Sequence, residues 1–188
     1  MTVFRDLSQH ILDIVENSVH AGASLVRVDI EQNTERDRLS ICVKDDGRGI
    51  DPRMLAAITD PWVTTRTTRR VGLGIPFLAQ TAEMCDGDFE ISSEPGSGTE
   101  ICATFRWSHI DRPPLGEIVG TLLCVIVGNP EVSFIYHHRV DDRVFELDTR
   151  EIREVLGDDV PLSDPDVLAF IRGALVEGLE DVGFETSS

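Results

Sequence analysis

Apolar side chains recur at every fourth residue between Leu7 and Val19. This spacing places them on one face of a helix, which we predict over residues 7–21. Residues 25–31 and 39–43 instead alternate between apolar and polar side chains, a period that is typical of strands. A polar connection separates these two runs, and the pattern therefore predicts a helix that is followed by a β-hairpin.

Helix and strand signals also alternate in the middle of the chain. Asp51 followed by Pro52 is typical of an N-cap and a first helical position. The sequence EPGSG at residues 94–98 indicates a turn between two strands. The predicted elements are a helix over residues 52–59, a loop over 60–71, a helix from residue 73, and strands over 89–93 and 99–106.

The pattern changes near residues 108–114, where the tripeptide RPP cannot continue a strand. We place a boundary here and predict one domain over residues 1–108 and a small α+β domain over residues 109–188. The last 82 residues contain six Arg against 17 Asp and Glu, a net charge of −11. Such acidity is typical of a solvated surface, and the alternative is a docking face for a basic partner.

Residues 115–126 support two interpretations. Their apolar positions have a helical spacing, whereas their β-branched residues and Gly120 argue for a strand. We favour the helix. Beyond it we predict a hairpin over residues 132–148 and helices that begin at Thr149 and Asp164.

Charge excludes several classes of function. The 188 residues include 17 Lys and Arg against 34 Asp and Glu, a net charge of −17 at pH 7. A chain this acidic repels the phosphates of nucleic acids and of anionic membranes, so we expect neither as a partner. The only lysine, Lys44, follows Val43, whereas a Walker A loop requires Gly before Lys. P-loop nucleotide binding is therefore excluded.

The cysteines and the apolar runs predict the compartment. The four cysteines form no CxxC pair and have apolar neighbours, which favours buried free thiols in a reducing compartment. The amino-terminal segment lacks the apolar core of a signal peptide. The longest apolar run, residues 122–127, is too short to span a membrane. These patterns predict a soluble, cytoplasmic protein.

Two segments combine carboxylates with groups that suit a ligand. Asp13 and Asn17 are four residues apart, so they lie on one face of the first helix. A carboxylate and a carboxamide in this arrangement can polarise water and coordinate Mg²⁺, and the alternative is a solvated polar face.

The sequence DDGRGI at residues 45–50 follows a strand. Its alternate glycines let the backbone approach a flat ligand, and the alternative is a tight turn.

Two glycine-rich segments complete the set of candidate binding motifs. VGLGI at residues 71–75 begins a helix, whose free N–H groups suit a phosphate. It lacks the third glycine of a dinucleotide fingerprint, and three arginines lie just before it in the predicted loop. The fourth segment is the turn GSGT at residues 96–99, which is equally well explained as a plain hairpin turn. The arginines are Arg66, Arg69 and Arg70.

The order and spacing of these motifs resemble a known family. The runs HILDIVENSVHAGAS, DDGRGI, DPWVTTRTTRRVGLGIP and EPGSGTEICATF resemble the N, G1, F, G2 and G3 boxes of the GHKL ATPases, over roughly residues 7–106. The N box looks most like that of MutL-type proteins, and the later boxes look like those of bacterial histidine kinases. The resemblance implies a Bergerat fold, a two-layer α/β sandwich in which a mixed sheet has helices on one face. It also implies that ATP binds between helices and a flexible lid.

The resemblance also implies roles for individual residues. Asp13 stands where MutL has its water-activating glutamate and is one methylene shorter, and Glu16 is the second choice for that role. Asn17 would hold Mg²⁺, and Asp45 would accept from the adenine amino group. The remaining implied contacts with ATP are Gly47, Gly49 and Ile50 at the base pocket, Thr99 in support of the adenine site, Arg66 on the lid, and Gly72, Leu73 and Gly74 at the phosphates.

Two functions follow from the resemblance. The favoured one is a stand-alone kinase that transfers the γ-phosphoryl group to a His or Ser of a separate partner protein, because the later boxes and the size are similar to those of anti-sigma-factor serine kinases and orphan kinase modules. We also expect no phosphoacceptor helix pair before the N box. His10 and His20 lie on the first helix itself. The alternative is a nucleotide-gated switch, which changes a partner interface without protein phosphorylation. The sequence leaves the oligomeric state open.

Overall fold

The computed structural model describes residues 6–59, 74–157 and 160–184. Strands occur in consecutive pairs along the chain, and helices separate these pairs. Their order is α1 (Leu7–His20), β1 (Leu25–Asn33), β2 (Arg38–Asp45), α2 (Pro52–Thr59), α3 (Gly74–Met84), β3 (Phe89–Glu94), β4 (Gly98–Arg106), α4 (Ile118–Gly128), β5 (Ser133–Val140), β6 (Arg143–Asp148), α5 (Thr149–Leu156) and α6 (Pro165–Asp181).

Aspartates mark the helix starts that the sequence predicts. Asp51, Asp148 and Asp164 each precede the first helical residue and accept a hydrogen bond from a backbone N–H two residues later. Such N–H groups have no partner within the helix, so a side-chain acceptor stabilises the start. The predicted starts of α2, α5 and α6 are therefore confirmed. Within the described ranges, no helix has both the length and the apolar character needed to cross a membrane.

The strands form one mixed sheet in the order β3-β4-β2-β1-β5-β6. The predicted hairpins β1–β2, β3–β4 and β5–β6 are confirmed, and all three are antiparallel. The structure adds two pairs that join distant parts of the chain, namely antiparallel β2–β4 and parallel β1–β5. A parallel pair requires a crossover connection, and α4 lies in this connection between β4 and β5.

One face of the sheet is covered by helices, as the fold class predicts. In β1, Val26, Val28 and Ile30 are buried, whereas the residues between them are partly exposed. The buried residues of β1, β2 and β4 share one hydrophobic core with residues of α1, α3, α4 and α6. The opposite face has polar side chains in ion pairs such as Arg27–Asp29. The alternation of side chains along each strand thus separates a core face from a solvent face.

The helical interpretation of residues 115–126 is confirmed from Ile118 onward, and the strand interpretation is wrong. Residues 114 and 115 instead precede α4 and cap the start of α1. The Pro114 carbonyl accepts from the Leu7 N–H at 2.9 Å, and the Leu115 carbonyl accepts from the Ser8 N–H at 2.8 Å. These bonds satisfy N–H groups that α1 leaves without an internal partner.

The predicted boundary near residue 108 does not interrupt the sheet. β5 and β6 extend the sheet beside β1, and the helices on both sides of the boundary share one core. At the far end of β1, the Thr34 N–H donates to Asp141 Oδ1 at 2.7 Å, which links the two parts again. The division into domains of residues 1–108 and 109–188 stays a prediction.

The prediction of four buried free thiols is wrong for three of the cysteines. Cys42 and Cys102 lie directly opposite each other in β2 and β4, with Cα atoms 4.2 Å apart, and form a disulfide. Cys85 is free and buried, and Cys124 is free and exposed. The cysteines of the disulfide are 60 residues apart in sequence, so only the register of the sheet brings them together.

Candidate functional site

Helix α1 presents the first two candidate residues beside its buried face. Ile11, Ile14 and Val15 are buried, which fixes the rotation of the helix and leaves Asp13 and Asn17 partly exposed at its side. Asn17 Nδ2 donates to Asp13 Oδ2 at 3.3 Å. The contact confirms that the two side chains lie on one face, and it leaves the Asn17 carboxamide oxygen as a candidate metal ligand. Glu16 is exposed on the same helix.

Asp13 lies against the first residue of α3. A Cβ atom built on Gly74 would be 2.0 Å from Asp13 Oδ2, so only glycine fits there without movement of one of them. Burial and the nearby Glu16 raise the pKa of the Asp13 carboxyl, against the opposing effects of Asn17 and His10. The first and third motifs of the sequence therefore meet at the Asp13–Gly74 contact.

Asp45 is a buried carboxylate at the end of β2, with 8% of its surface exposed. Ser18 Oγ donates to Asp45 Oδ2 at 2.7 Å, and the Gly47 N–H donates to Asp45 Oδ1 at 2.9 Å. A carboxylate oxygen has two lone pairs, so each oxygen retains capacity to accept from a ligand amine. Sequence reasoning missed Ser18, although it directly follows Asn17 and is the residue that joins α1 to Asp45.

Gly47 and Gly49 lie where a side chain has no room. A Cβ on Gly47 would be 3.0 Å from Asp45 Oδ1 and 3.1 Å from the Ala21 Cβ. Gly49 has a φ of +68°, and a Cβ there would be 2.1 Å from the Glu94 carbonyl oxygen. The second motif is thus packed between the end of α1 and the β3–β4 turn, as its two alternate glycines require.

A hydroxyl pair ties the β3–β4 hairpin to this loop. Thr99, which is 9% exposed, lies opposite Asp45 in the β2–β4 pair, and its Oγ1 is 2.9 Å from Ser93 Oγ. Ser93 Oγ accepts from the Ile50 N–H at 2.9 Å. The predicted residues Thr99 and Ile50 are therefore linked through Ser93, which sequence reasoning missed because a serine in a strand has no distinguishing pattern.

Asp46 anchors the loop on its other side. Its carboxylate accepts from the Ser24 N–H at 2.7 Å, from the Ser24 hydroxyl and from the Leu25 N–H at 2.9 Å. These bonds fasten the end of β2 to the start of β1. The position of Asp45 is therefore set from both β1 and α1.

The structure brings four of the predicted segments into two neighbouring clusters. Asp13, Asn17 and Gly74 form one, and Asp45, Gly47, Gly49, Ile50 and Thr99 form the other; Ser18 connects them. Arg66, Gly72 and Leu73 lie outside the described residues, as do Arg69 and Arg70 of the same loop. Among the described residues, no group of three or more His, Cys, Asp or Glu could hold a metal ion.

The sequence is similar to proteins of known families. Residues 2–109 match the family described as histidine kinase-, DNA gyrase B-, and HSP90-like ATPase. The sensor protein kinase FleS of Pseudomonas aeruginosa is 35% identical over 108 residues, which are 57% of this chain and 26% of FleS. The non-motile and phage-resistance protein of Caulobacter vibrioides is 29% identical over 118 residues, which are 58% of this chain and 14% of that protein. The chain thus spans about a quarter or less of the length of these two relatives.

The fold has a counterpart among solved structures, and the family match includes both clusters. The N-terminal domain of a DNA repair protein superposes with a TM-score of 0.53 at 14% identity, covering 83% of this chain and 58% of that one. At this identity the likeness shows the fold alone. The family match takes in α1 to β4 and every candidate site residue. This chain therefore belongs to the histidine kinase-, DNA gyrase B- and HSP90-like ATPases.

Proposed function

We propose that the chain binds Mg-ATP and transfers its γ-phosphoryl group to a His or Ser of a separate protein. The observation that carries the proposal is the arrangement of two clusters along α1, a buried acceptor at Asp45 and an Asp13–Asn17 pair against the start of α3. An adenine amine suits the cluster around Asp45, and Mg-phosphate suits the cluster of Asp13, Asn17 and Gly74.

The oxygen donors in the cluster of Asp13, Asn17 and Gly74 fit Mg²⁺. This ion keeps several waters and takes one or two protein oxygens together with substrate phosphates. Asn17 uses an amide hydrogen on Asp13, so its oxygen is the ligand we assign to the metal. When bound, the ion would neutralise negative charge on the phosphates. The start of α3 supplies N–H groups to the same phosphates.

The geometry at Asp13 favours transfer over rapid hydrolysis. Water activation requires a carboxylate that reaches the attacking water, and misplacement by ~1 Å can cost roughly 100-fold. Asp13 is one methylene shorter than glutamate, and its Oδ2 already accepts from Asn17. We therefore expect slow intrinsic hydrolysis. The kinase assignment is supported by the 35% identity with a sensor protein kinase over the matched segment.

A nucleotide-gated switch is the second candidate, and one observation favours it. The start of α1 is hydrogen-bonded to the carbonyls of Pro114 and Leu115. α1 also has the Asp13–Asn17 pair. A nucleotide-dependent shift of α1 would therefore reach the C-terminal part directly, without phosphoryl transfer.

The experiment that separates these functions uses ATP labelled on the γ-phosphate. The protein is incubated with Mg-ATP and a cell extract, and the Asn17→Ala variant serves as the control for contaminating kinases. A kinase produces a labelled protein band that disappears with Asn17→Ala and with a chelator of Mg²⁺. Tight nucleotide binding without an Asn17-dependent band favours the switch.

Binding itself is tested by thermal unfolding. A ligand present at ~100 times its Kd adds about 2.7 kcal/mol to the free energy of unfolding. We expect a higher melting temperature with millimolar Mg-ATP. An unchanged melting temperature, together with no heat of binding in calorimetry, would contradict both candidate functions.

A further inference from the structure

The Cys42–Cys102 disulfide lies on the face of the sheet opposite the hydrophobic core. In β2, Ile41 and Val43 on either side of Cys42 are buried in the core, whereas Cys42 itself is partly exposed. Cys102 is likewise partly exposed between two buried residues of β4. Because side chains alternate between the two faces of a strand, the bond is located where a dissolved thiol can reach it.

The register of the sheet keeps the two cysteines opposite each other without the bond. The pair of β2 with β4 extends along β2 from Arg38 to Asp45, and Cys42 lies within it. Each strand also has a second partner, because β1 lies beside β2 and β3 lies beside β4. Reduction therefore leaves the two thiols facing each other in a folded sheet, and the bond can form again without a rearrangement of the chain.

The same pair of strands ends at the cluster around Asp45. Asp45 lies opposite Thr99, three residue pairs beyond the cysteines. Both residues are buried, and each is hydrogen-bonded toward the loop after β2, Asp45 to Gly47 and Thr99 through Ser93. The ends of an element open more readily than its middle, and a covalent bond this close to the end limits such opening. The disulfide therefore helps to hold in place the acceptor that an adenine amine requires.

We propose that Cys42–Cys102 is a site of reversible thiol–disulfide exchange, and that its oxidation state sets the affinity of the cluster around Asp45 for adenine. The effect on affinity rests on the proposed binding of ATP. The oxidised pair restrains β2 against β4, so the cluster is ordered before the ligand binds. The reduced pair allows the end of the strand pair to open, and the ligand must then order it, which lowers the affinity.

The co-reactant is an external thiol, such as glutathione, together with its own disulfide. The external thiolate attacks one cysteine sulfur, the Cys42–Cys102 bond breaks, and the other cysteine leaves as a thiolate that takes up a proton. A second external thiolate attacks the mixed disulfide and releases the first cysteine, which is likewise protonated. The two cysteines gain two electrons, and the two external thiols lose two and become a disulfide. The reverse reaction restores the bond.

The exchange is tested on the folded full chain with reduced and oxidised glutathione. The protein is equilibrated at a series of ratios, and its free thiols are trapped by alkylation and assigned to individual cysteines by mass spectrometry. We expect the thiols of Cys42 and Cys102 to appear with reduced glutathione and to disappear with the oxidised form, while circular dichroism shows that the protein stays folded. A disulfide that is reduced only after urea is added would overturn the proposal.

The affinity is tested in both oxidation states. The dissociation constants of Mg-ATP and of adenosine are measured by NMR titration for the oxidised and the reduced protein. We expect reduction to weaken both ligands by the same factor, about 3- to 10-fold, the order expected when one side chain of a site must be ordered on binding. Cys42→Ser combined with Cys102→Ser should bind as the reduced parent does under both conditions. Cys124→Ser, which removes an exposed free thiol, should respond as the parent does.

Equal affinities in the two oxidation states, or a loss confined to Mg-ATP, would overturn the effect on the cluster around Asp45 while ATP binding stands. A parent protein that binds neither ligand in either state would instead overturn the proposed function, and with it this effect. The glutathione titration decides the exchange itself in both cases.

Discussion

Both parts of the molecule bury polar side chains in one core, but the two sets differ in their exposure and in their hydrogen-bond partners. In residues 7–106, the site-bearing part, Asp45 and Thr99 are 8% and 9% exposed and retain acceptor capacity after their bonds within the protein. In residues 115–184, the C-terminal part, His138 and Thr149 are 1% and 0% exposed. The difference separates polar groups at the edge of the core, which retain acceptor capacity, from polar groups that are enclosed within it.

The C-terminal polar groups are enclosed with each other. The Tyr136 hydroxyl lies 2.6 Å from His138 Nδ1, and the Phe134 N–H donates to the Thr149 hydroxyl at 2.8 Å. The Phe184 ring covers His138, with ring centroids 4.9 Å apart. Buried hydrogen bonds of this kind stabilise a unique arrangement, whereas His138 Nε2 has no hydrogen-bond partner among the described residues.

The largest expected effect is on chemistry in the site-bearing part. Asp13→Asn removes the carboxylate but keeps an oxygen for Asn17. The short side chain of Asp13 already makes intrinsic phosphate release slow. Since a general base typically contributes about 10²- to 10⁴-fold, we expect its loss to lower phosphate release further, by about 10²-fold at saturating ATP. ATP affinity should change by less than about two-fold. Steady-state phosphate release and calorimetric binding measure the two quantities.

The matched control is Glu16→Gln, on the same helix and exposed. It should leave phosphate release unchanged. A loss with Glu16→Gln, and none with Asp13→Asn, would transfer the role of base to the second choice.

The next largest effect is expected from reduction of the disulfide, which tests whether the two parts unfold together. The Cys42–Cys102 disulfide closes a loop of 60 residues, and the chain-entropy model gives such a cross-link about 4 kcal/mol of stability. We expect reduction to lower the free energy of unfolding in urea by this order. Since both parts share a sheet and a core, amide exchange in β5 should accelerate as much as in β2.

Cys124→Ser is the control, because Cys124 is exposed and free. It should not change the urea midpoint. Unchanged protection of β5 after reduction would show instead that residues 109–188 unfold as a separate domain.

A smaller effect concerns acid stability in the C-terminal part. Burial, together with the neighbouring His137, lowers the pKa of His138 to about 4 from its ordinary 6.5. The unfolded chain takes up a proton below pH 6.5 and the folded chain does not, so stability is full above pH 6.5 and falls toward pH 4. The loss amounts to about 3 kcal/mol. Urea unfolding between pH 7 and pH 4 measures it.

The double variant His138→Leu with Tyr136→Phe removes both members of the pair. It should flatten this pH dependence, apart from the contribution of His10, whose pKa burial also lowers. Asp13 acts in the opposite direction, because its raised pKa costs stability as the pH rises. A double variant with the parent's full slope would exclude His138 as the cause.

The smallest expected effect is on nucleotide affinity. Asp45→Asn presents an amine where the adenine amino group needs an acceptor, and the loss of a charge-assisted hydrogen bond costs about 1.5–3 kcal/mol. ATP should bind about 10- to 100-fold more weakly. Thr149→Val in the C-terminal part should lower stability, because the Phe134 N–H loses its acceptor, and leave ATP affinity unchanged. Equal ATP affinity in the parent and Asp45→Asn would remove Asp45 from the adenine site.

Much of the fold was predictable because its signals are local. The starts of α2, α5 and α6 follow from Asp51-Pro52, Thr149 and Asp164-Pro165. The β1–β2 hairpin follows from a period of two, and the other two hairpins follow from their turns. The nucleotide-binding motifs could also be identified from the sequence, since each motif spans only a few consecutive residues. The roles of Ser18 and Ser93 were not, because a serine acquires a role only from what lies opposite it in space.

The sequence by itself determined the helices, the hairpins and the family, because periodicity, capping and motif spacing act over a few residues. The tertiary structure decided which distant segments meet. The β1–β5 pair, the Cys42–Cys102 disulfide and the Asp13–Gly74 contact join residues from 60 to more than 100 positions apart. Such pairs depend on the register of the sheet and on the rotation of α1 against its core. Only the packing of the whole chain sets these two quantities.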